Sequence, residues 1–396
     1  MTTFSATDPV VIVGAARTPM GGFQGELSDF TAAQLGAHAI GAALSRAGLG
    51  TDQVEEVIMG CVLPAGQGQA PARQAARGAG IPDGAGATTV NKMCGSGMQA
   101  AMFAHDMLRA GTNKVMVAGG MESMTNAPYL LEKARGGYRM GHGRVMDHMF
   151  LDGLEDAYDR GRLMGTFAEE CAQGYQFTRE AQDCFALASL ERARRRENLA
   201  AEIAPITVRT RKGETVIAED EQPRNARPEK IPTLKPAFRD GGTVTAANSS
   251  SISDGAAALA MMPLSEAERR GLTPLAAIRG HATHAQAPNL FTTAPVFALR
   301  KLLDKLAWKA ADVDLYEINE AVAVVTMAAM RELDLPHDKV NVHGGACALG
   351  HPIGASGARV IVTLLSALQK YDLRRGIATL CIGGGEATAL AVERLA

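Results

Sequence analysis

Val90-Asn91-Lys92-Met93-Cys94-Gly95-Ser96-Gly97-Met98 runs from a β-like segment through a turn of small residues into an apolar-periodic stretch, Met98 to Leu108. The pattern predicts strand, turn and helix, with a cysteine at the junction. A thiol placed there faces the unpaired N–H groups and the positive dipole end of the helix, which favour the nucleophilic thiolate. Gly95 and Gly97 keep side chains away from the sulfur, so a bulky acyl group can approach the backbone. The plain alternative is a cysteine packed as a small hydrophobe.

Outward from this stretch, the strand and helix pattern recurs. Val11-Ile12-Val13-Gly14-Ala15-Ala16 is echoed by Ala277-Ile278-Arg279-Gly280-His281-Ala282, an offset of 280 − 14 = 266. The segment starting at Asp52 is echoed by that starting at Asp312, an offset of 260, and Val117 to Glu122 by Cys381 to Glu386, an offset of 264. Echoes in one order at one spacing predict a duplicated chain. Each half reads as alternating strands and helices (33–47 and 296–306 among the latter), giving mixed, largely parallel sheets covered by helices. The first half spans 1–122 and is completed by 253–273; the second spans 274–396. Residues 123–252 differ in texture. They carry the glycine-rich run Gly136 to Arg144, a helix expected from Thr178 to Asn198, and a proline- and charge-rich stretch from Gln222 to Pro236. An inserted loop domain covering a site built by the halves is expected.

Composition excludes several classes. The 396 residues exceed one ordinary domain, and 40 Lys plus Arg against 42 Asp plus Glu give no global field for nucleic acid or an acidic membrane. The arginines at 192, 194, 195 and 196 are read as a solvated helix end, since no aromatic residues interleave them. The apolar run Ala321 to Met330 is too short to span a bilayer. The first residues lack a basic segment followed by an apolar one, so a cytoplasmic setting is expected. The six cysteines form no C-x-x-C pair or zinc-finger spacing. No metal site and no bridges are expected.

Three further clusters carry chemistry. In Gly344-Gly345-Ala346-Cys347-Ala348-Leu349-Gly350-His351-Pro352-Ile353-Gly354-Ala355-Ser356-Gly357-Ala358-Arg359, Pro352 biases His351 toward an extended backbone, so its imidazole can point out of a loop. The small-residue helix start that follows mirrors Gly95 to Gly97, and two such starts from related halves would bring thiol and imidazole together. Cys381 ends a strand-like run and leads into Gly383-Gly384-Gly385, where backbone N–H groups can converge on an anion. No G-x-G-x-x-G sits between a strand and a helix, so a dinucleotide cradle is not supported. Asn319 opens another helix-like run, with an N-cap as its plain alternative. Two cysteines, a histidine and an asparagine on turn-rich junctions point to covalent acyl transfer.

With these blocks, Asn319-Glu320-Ala321, and Cys381-Ile382-Gly383-Gly384-Gly385-Glu386-Ala387, the chain resembles the thiolase family from Val11 to its end. The resemblance implies a five-layered α-β-α-β-α sandwich from two duplicated halves plus an inserted loop domain. It implies that Cys94 is acylated, that His351 activates it, and that Cys381 moves the α-proton of acetyl-CoA. Asn319, through a water, and His351 would form one oxyanion site; backbone N–H groups of Cys94 and Gly383 would form the other. For coenzyme A it implies Ser250 and Ala246 near the pantetheine, Leu163 and Met164 at the acyl region, and Arg224 at the adenine nucleotide. Coenzyme A thioesters would be substrates, with no cofactor bound permanently, and the protein a homotetramer or homodimer of fatty acid metabolism. The expected activity is acetyl-CoA C-acetyltransfer. A degradative 3-ketoacyl-CoA thiolase of broad chain length is the alternative, and a non-catalytic CoA-binding protein the reading of another class. The family's Asn-Glu-Ala-Phe is here Asn319-Glu320-Ala321-Val322, and Leu163 stands where acetoacetyl-CoA enzymes often carry histidine. Both departures predict a wider or differently shaped acyl pocket.

Overall fold

The computed structural model describes residues 8–210 and 213–395. Strands β1 (Val10–Arg17), β2 (Glu56–Gly60), β3 (Gly86–Val90), β4 (Met116–Ser123) and β5 (Ser253–Pro263) lie in the order β1-β5-β4-β2-β3. The second half repeats the plan with β6 (Ala276–Ala285), β7 (Leu315–Ile318), β8 (Arg375–Ile382) and β9 (Glu386–Glu393), in the order β6-β9-β8-β7. In both halves the first two pairings are antiparallel and the third parallel, so antiparallel pairings outnumber parallel ones, against the expectation of largely parallel sheets. The place of β3 is taken in the second half by a parallel bridge from Tyr316 to Val340. Even the irregularity is duplicated. The register shifts between Ile12 and Gly14 in β1 and between Ile278 and Gly280 in β6, at the predicted offset. A short antiparallel contact, Val11 with Ala277 and Ile12 with Ala276, joins the halves.

The third echo finds the right strands in the wrong register. Ala118 lies opposite Ile58, and Thr379 opposite Ile318. Because 318 − 58 = 260 and 379 − 118 = 261, Ala118 answers to Thr379, whereas the echo set Val117 against Cys381. Gly383 to Gly385 lie beyond β8 in a hairpin, with φ near +90° at Gly384 and Gly385, while Gly119 and Gly120 sit inside β4. Similar glycine-rich text therefore serves different backbone geometries.

The helices are α1 (Ala32–Ala47), α2 (Pro71–Gly78), α3 (Ser96–Arg109), α4 (Met164–Tyr175), α5 (Arg179–Ala193), α6 (Ala294–Leu306), α7 (Ala323–Leu333) and α8 (Ile353–Lys370). Thr31 and Gln34 form a capping box at the start of α1, whose buried Leu35, Ala39, Ile40 and Ala43 follow helical spacing. With α2 it covers the outer face of the first-half sheet; α6 and α7 cover that of the second. Between the sheets, Met98 and Met102 of α3 and Ile361 and Leu364 of α8 share one core with Ile58 and Ala118 from one sheet and Leu380 and Leu390 from the other. The result is the five-layered sandwich. Each Leu or Ile so buried contributes about 1.5–3 kcal/mol, and α8 is buried on nearly every side through Leu365, as a central helix is, with Ser356, Arg359 and Thr363 as its buried polar residues.

Small residues set how closely the central helices cross. A Cβ on Gly357 would lie 2.3 Å from Met98 N, and one on Gly97 would lie 2.7 Å from Ala358 N. No larger residue fits there. The segment 123–252 is fastened by Arg17, fully buried between Glu202 (2.5 Å) and Asp220 (2.7 Å). Removing one partner of such a group costs about 3–5 kcal/mol. The basic run departs from expectation: α5 ends at Ala193, Arg192 donates to the carbonyls of Val340 (2.7 Å) and His337 (3.0 Å), and Arg194 to Pro223 (2.9 Å). These two arginines bind loop carbonyls rather than facing water.

Candidate active site

The turn that carries Cys94 is forced. Met93 adopts a left-handed backbone, φ +46°, uncommon for a residue with a side chain and often found where function stores strain. Asn91 Oδ1 accepts from Met93 N–H (2.9 Å), and Ser96 Oγ donates to Met93 C=O (2.6 Å), so the conformation is held from both sides. Gly95 has no room for a Cβ, which would lie 2.4 Å from Ile382 Cδ1 at the end of β8. The Cys94 turn thus packs directly on the strand carrying Cys381. An ion pair between Lys92 and Glu386, the first residue of β9, ties the turn to the neighbouring strand at the surface.

Cys94, His351, Cys381 and Gly383 line one cavity of about 380 Å³. The backbone N–H groups of Gly383 and of Cys94 itself are directed at Cys94 Sγ. Burial nevertheless pushes the Cys94 thiol up to about 11, more than these N–H groups pull it down. This runs against the expectation of a thiol lowered by the helix start: desolvation outweighs the N–H donors that face the sulfur. Burial holds the Cys381 thiol higher than its ordinary value too, and the nearby Cys94 sulfur adds to the effect.

His351 is likewise held as a neutral imidazole. Ser356 Oγ donates to Pro352 C=O (2.9 Å) and therefore accepts the proton of His351 Nδ1 (2.5 Å). Nε2 then carries the lone pair, and it has no hydrogen-bond partner among the described residues. Burial, aided by the Arg359 charge, lowers the imidazole to about 3. The resting pair is thus thiol and imidazole. Two N–H groups already face Cys94 Sγ, where an anion would be stabilised.

Asn319 is fully buried at the end of β7 and does not line the cavity. Its Oδ1 accepts from Arg359 (3.0 Å), which also pairs with Glu317 (2.7 Å), while Nδ2 makes no hydrogen bond among the described residues. Ser250, Ala246, Leu163 and Met164 all line the cavity, Ser250 donating to Ala321 C=O (2.9 Å). Arg224 stands apart, paired with Glu26 (2.6 Å) beside a different cleft.

Sequence reasoning missed two contributors. Glu122, buried in β4, accepts from the N–H groups of Val62 (2.9 Å), Leu63 (3.1 Å) and Gly354 (2.8 Å), fixing the start of α8 just after His351. Burial raises its carboxyl to about 7 against those donors. Its only signal was a place beside Gly119-Gly120-Met121. Phe238 lines the cavity and lies against Gly165, where a Cβ would come within 2.4 Å of the ring. An aromatic after Pro236-Ala237 was its sequence mark.

Comparison with known proteins agrees with this arrangement. The family descriptions "Thiolase, N-terminal domain" and "Thiolase, C-terminal domain" match residues 10–265 and 272–394. The chain belongs to the thiolase family. Acetyl-CoA acetyltransferase 2 of Arabidopsis thaliana is 49% identical over 98% of this chain and 97% of its own. Acetyl-CoA acetyltransferase of Cupriavidus necator is 47% identical over 97% and 99%. Among solved structures, the Bacillus anthracis acetyl-CoA acetyltransferase superimposes with a TM-score of 0.95 at 41% identity, covering 98% of this chain and 99% of that one. The Acat5 thiolase of Ascaris suum in complex with coenzyme A gives 0.92 at 38%, covering 98% and 100%.

Proposed function

We propose that this thiolase is an acetyl-CoA C-acetyltransferase, interconverting two acetyl-CoA with acetoacetyl-CoA and CoA through an acyl-Cys94 intermediate. The observation that carries this reading is the shared cavity of Cys94, His351, Cys381 and Gly383, joined to the names of its close full-length relatives. Cys94 Sγ attacks the thioester carbonyl as its proton passes to His351 Nε2. The C–S bond to CoA then breaks, and CoA departs with that proton. Cys381, as its thiolate, removes a proton from the methyl carbon of a second acetyl-CoA. The carbanion attacks the acyl carbonyl, and Cys94 sulfur leaves as a thiolate that takes that proton back from Cys381. Thiolysis is the reverse, and metabolite levels set the direction. The N–H groups of Cys94 and Gly383 hold the oxyanion on the acyl-enzyme; His351 with Asn319, through a water, polarises the second thioester. Ser250, Ala246, Leu163 and Met164 contact the pantetheine and acyl portion, and Arg224 the adenine nucleotide. Coenzyme A is a substrate, with no permanently bound cofactor.

Val322 and Leu163, with Phe150, Leu154 and Ile353, make the acyl end of the cavity apolar, which favours a second activity on longer 3-ketoacyl-CoA thioesters. A cytoplasmic homo-oligomer, dimeric or tetrameric, working in fatty acid metabolism completes the reading. No described helix is long and apolar enough to cross a membrane, and the sheet ends on β3, whose free edge suits pairing with another copy. Measuring kcat/KM for acetoacetyl-CoA and 3-ketohexanoyl-CoA tests the chain-length claim: values within tenfold are expected, and a larger preference for the shorter substrate would refute the wide pocket.

A further inference from the structure

The last turns of α3 carry His105 and Asp106, and β6 brings His281 against them. His281 Nε2 lies 3.0 Å from Asp106 Oδ1 and 3.2 Å from His105 Nδ1, and His105 Nδ1 lies 3.0 Å from Asp106 Oδ1. Three ligand-capable atoms thus form a nearly equilateral triangle. Hydrogen bonding alone serves it poorly. Both nitrogens reach the same oxygen, and if each carries a proton to it, the two N–H groups crowd each other at 3.2 Å. A cation at the centre removes that conflict. Tetrahedral zinc, bonded at about 2.0–2.1 Å, spaces its ligand atoms about 3.3 Å apart; the triangle is one face of that tetrahedron drawn in by a few tenths of an ångström. The two rings stand at 89° with centroids 5.0 Å apart, against about 5 Å for two imidazoles sharing a tetrahedral ion. The ring ligands are largely buried (side chains 10% and 14% exposed), while Asp106 is 60% exposed at the opening.

We propose that His105, Asp106 and His281 bind one divalent cation of the zinc class, with the fourth position open to water. Two imidazoles and one carboxylate suit zinc, copper or nickel rather than magnesium or calcium. The role is structural. Helix α3 belongs to the first half and β6 to the second, so the ion fastens the two together. His105 is eleven residues beyond Cys94, about 16 Å along the helix axis, which keeps the ion away from the acyl chemistry. Sequence spacing hides the site because His281 lies 176 positions from His105.

The test uses the full-length enzyme stripped by a chelator, then titrated with Zn²⁺ against a chromogenic competitor at neutral pH. One ion per chain is expected in the wild type, binding at least tenfold weaker in Asp106→Asn and lost in His281→Ala. Zn²⁺ should raise the melting temperature of the wild type but not of His281→Ala. Loading with Co²⁺ separates this site from the catalytic thiols: visible d–d bands without a thiolate charge-transfer band are expected. Equal zinc affinity in wild type and both variants, no bound zinc, or a thiolate band abolished by iodoacetamide would each overturn the proposal. Asp106→Asn is a conservative change at an exposed position, so a failure of His281→Ala to fold would still leave a decisive variant.

Discussion

The two helix starts that enclose the cavity share a plan and use it differently. At the head of α3, Ser96 Oγ accepts from Lys92 N–H (2.8 Å) and donates to Met93 C=O (2.6 Å). At the head of α8, Ser356 Oγ donates to Pro352 C=O (2.9 Å) but takes the Nδ1 proton of His351 (2.5 Å). The serines are 356 − 96 = 260 positions apart, the offset of the second echo. In the first half the hydroxyl shapes the turn that presents the Cys94 thiol; in the second it selects the tautomer of His351. The scaffold recurs in both halves, and one exchanged hydrogen bond separates shaping a turn from fixing a tautomer.

The largest effect that sharpens this contrast is expected at the third group. Cys381→Ser should leave acylation of Cys94 by acetyl-CoA within a few-fold of wild type while slowing condensation by about 10²–10⁴-fold. Single-turnover kinetics resolves the two steps, and equal losses in both would count against separate roles. Next comes the resting charge state. With the thiol raised to about 11 and His351 lowered to about 3, the thiolate fraction at Cys94 should rise about tenfold for each pH unit between about 7 and 9. The rate at which iodoacetamide modifies Cys94, mapped by peptide mass, should follow that slope; a rate flat across the range would mean a standing thiolate–imidazolium pair.

Ser356→Ala and Ser96→Ala test the comparison itself. Removing the Ser356 hydroxyl should lower kcat by about 10–100-fold, by the analogy of lost orienting partners at other sites, with an altered pH profile and a nearly unchanged melting temperature. Ser96→Ala should cost about 1–2 kcal/mol of stability through the unsatisfied turn and affect kcat less. Interchanged outcomes would show that the two hydroxyls are not divided in this way. A smaller effect is expected from Val322→Phe, which should reduce kcat/KM for 3-ketohexanoyl-CoA relative to acetoacetyl-CoA by up to about tenfold, as expected for filling an apolar pocket. An unchanged ratio would remove Val322 from chain-length selection.

Much of this was legible because the residues proposed to carry the chemistry sit on turns with strong local signals. Glycines flank Cys94, proline follows His351, and a glycine triplet follows Cys381; each marks a backbone geometry that few other residues permit. Helices such as α1 and α6 were visible for the same kind of reason, through apolar spacing. What could not be read depends on distant partners. Nothing near Glu122 announces that it will cap the helix after His351, and nothing near Arg17 announces Glu202 and Asp220. Burial was the other blind spot. The helix start correctly located the Cys94 thiol, yet the surrounding protein reverses the direction in which its acidity moves. Asn319 likewise reads as a site residue, while its carbonyl is taken by Arg359 and only Nδ2 remains for a water-mediated role.

The most direct test of the account mixes the wild-type enzyme and Cys94→Ala with labelled acetyl-CoA, quenches in acid and maps the label by peptide mass. Label on the peptide containing Cys94 in the wild type, none elsewhere and none in the variant, with turnover reduced on the order of 10⁴-fold or more, is the predicted result. Label on Cys381 or another residue, or a variant that still turns over, would contradict it.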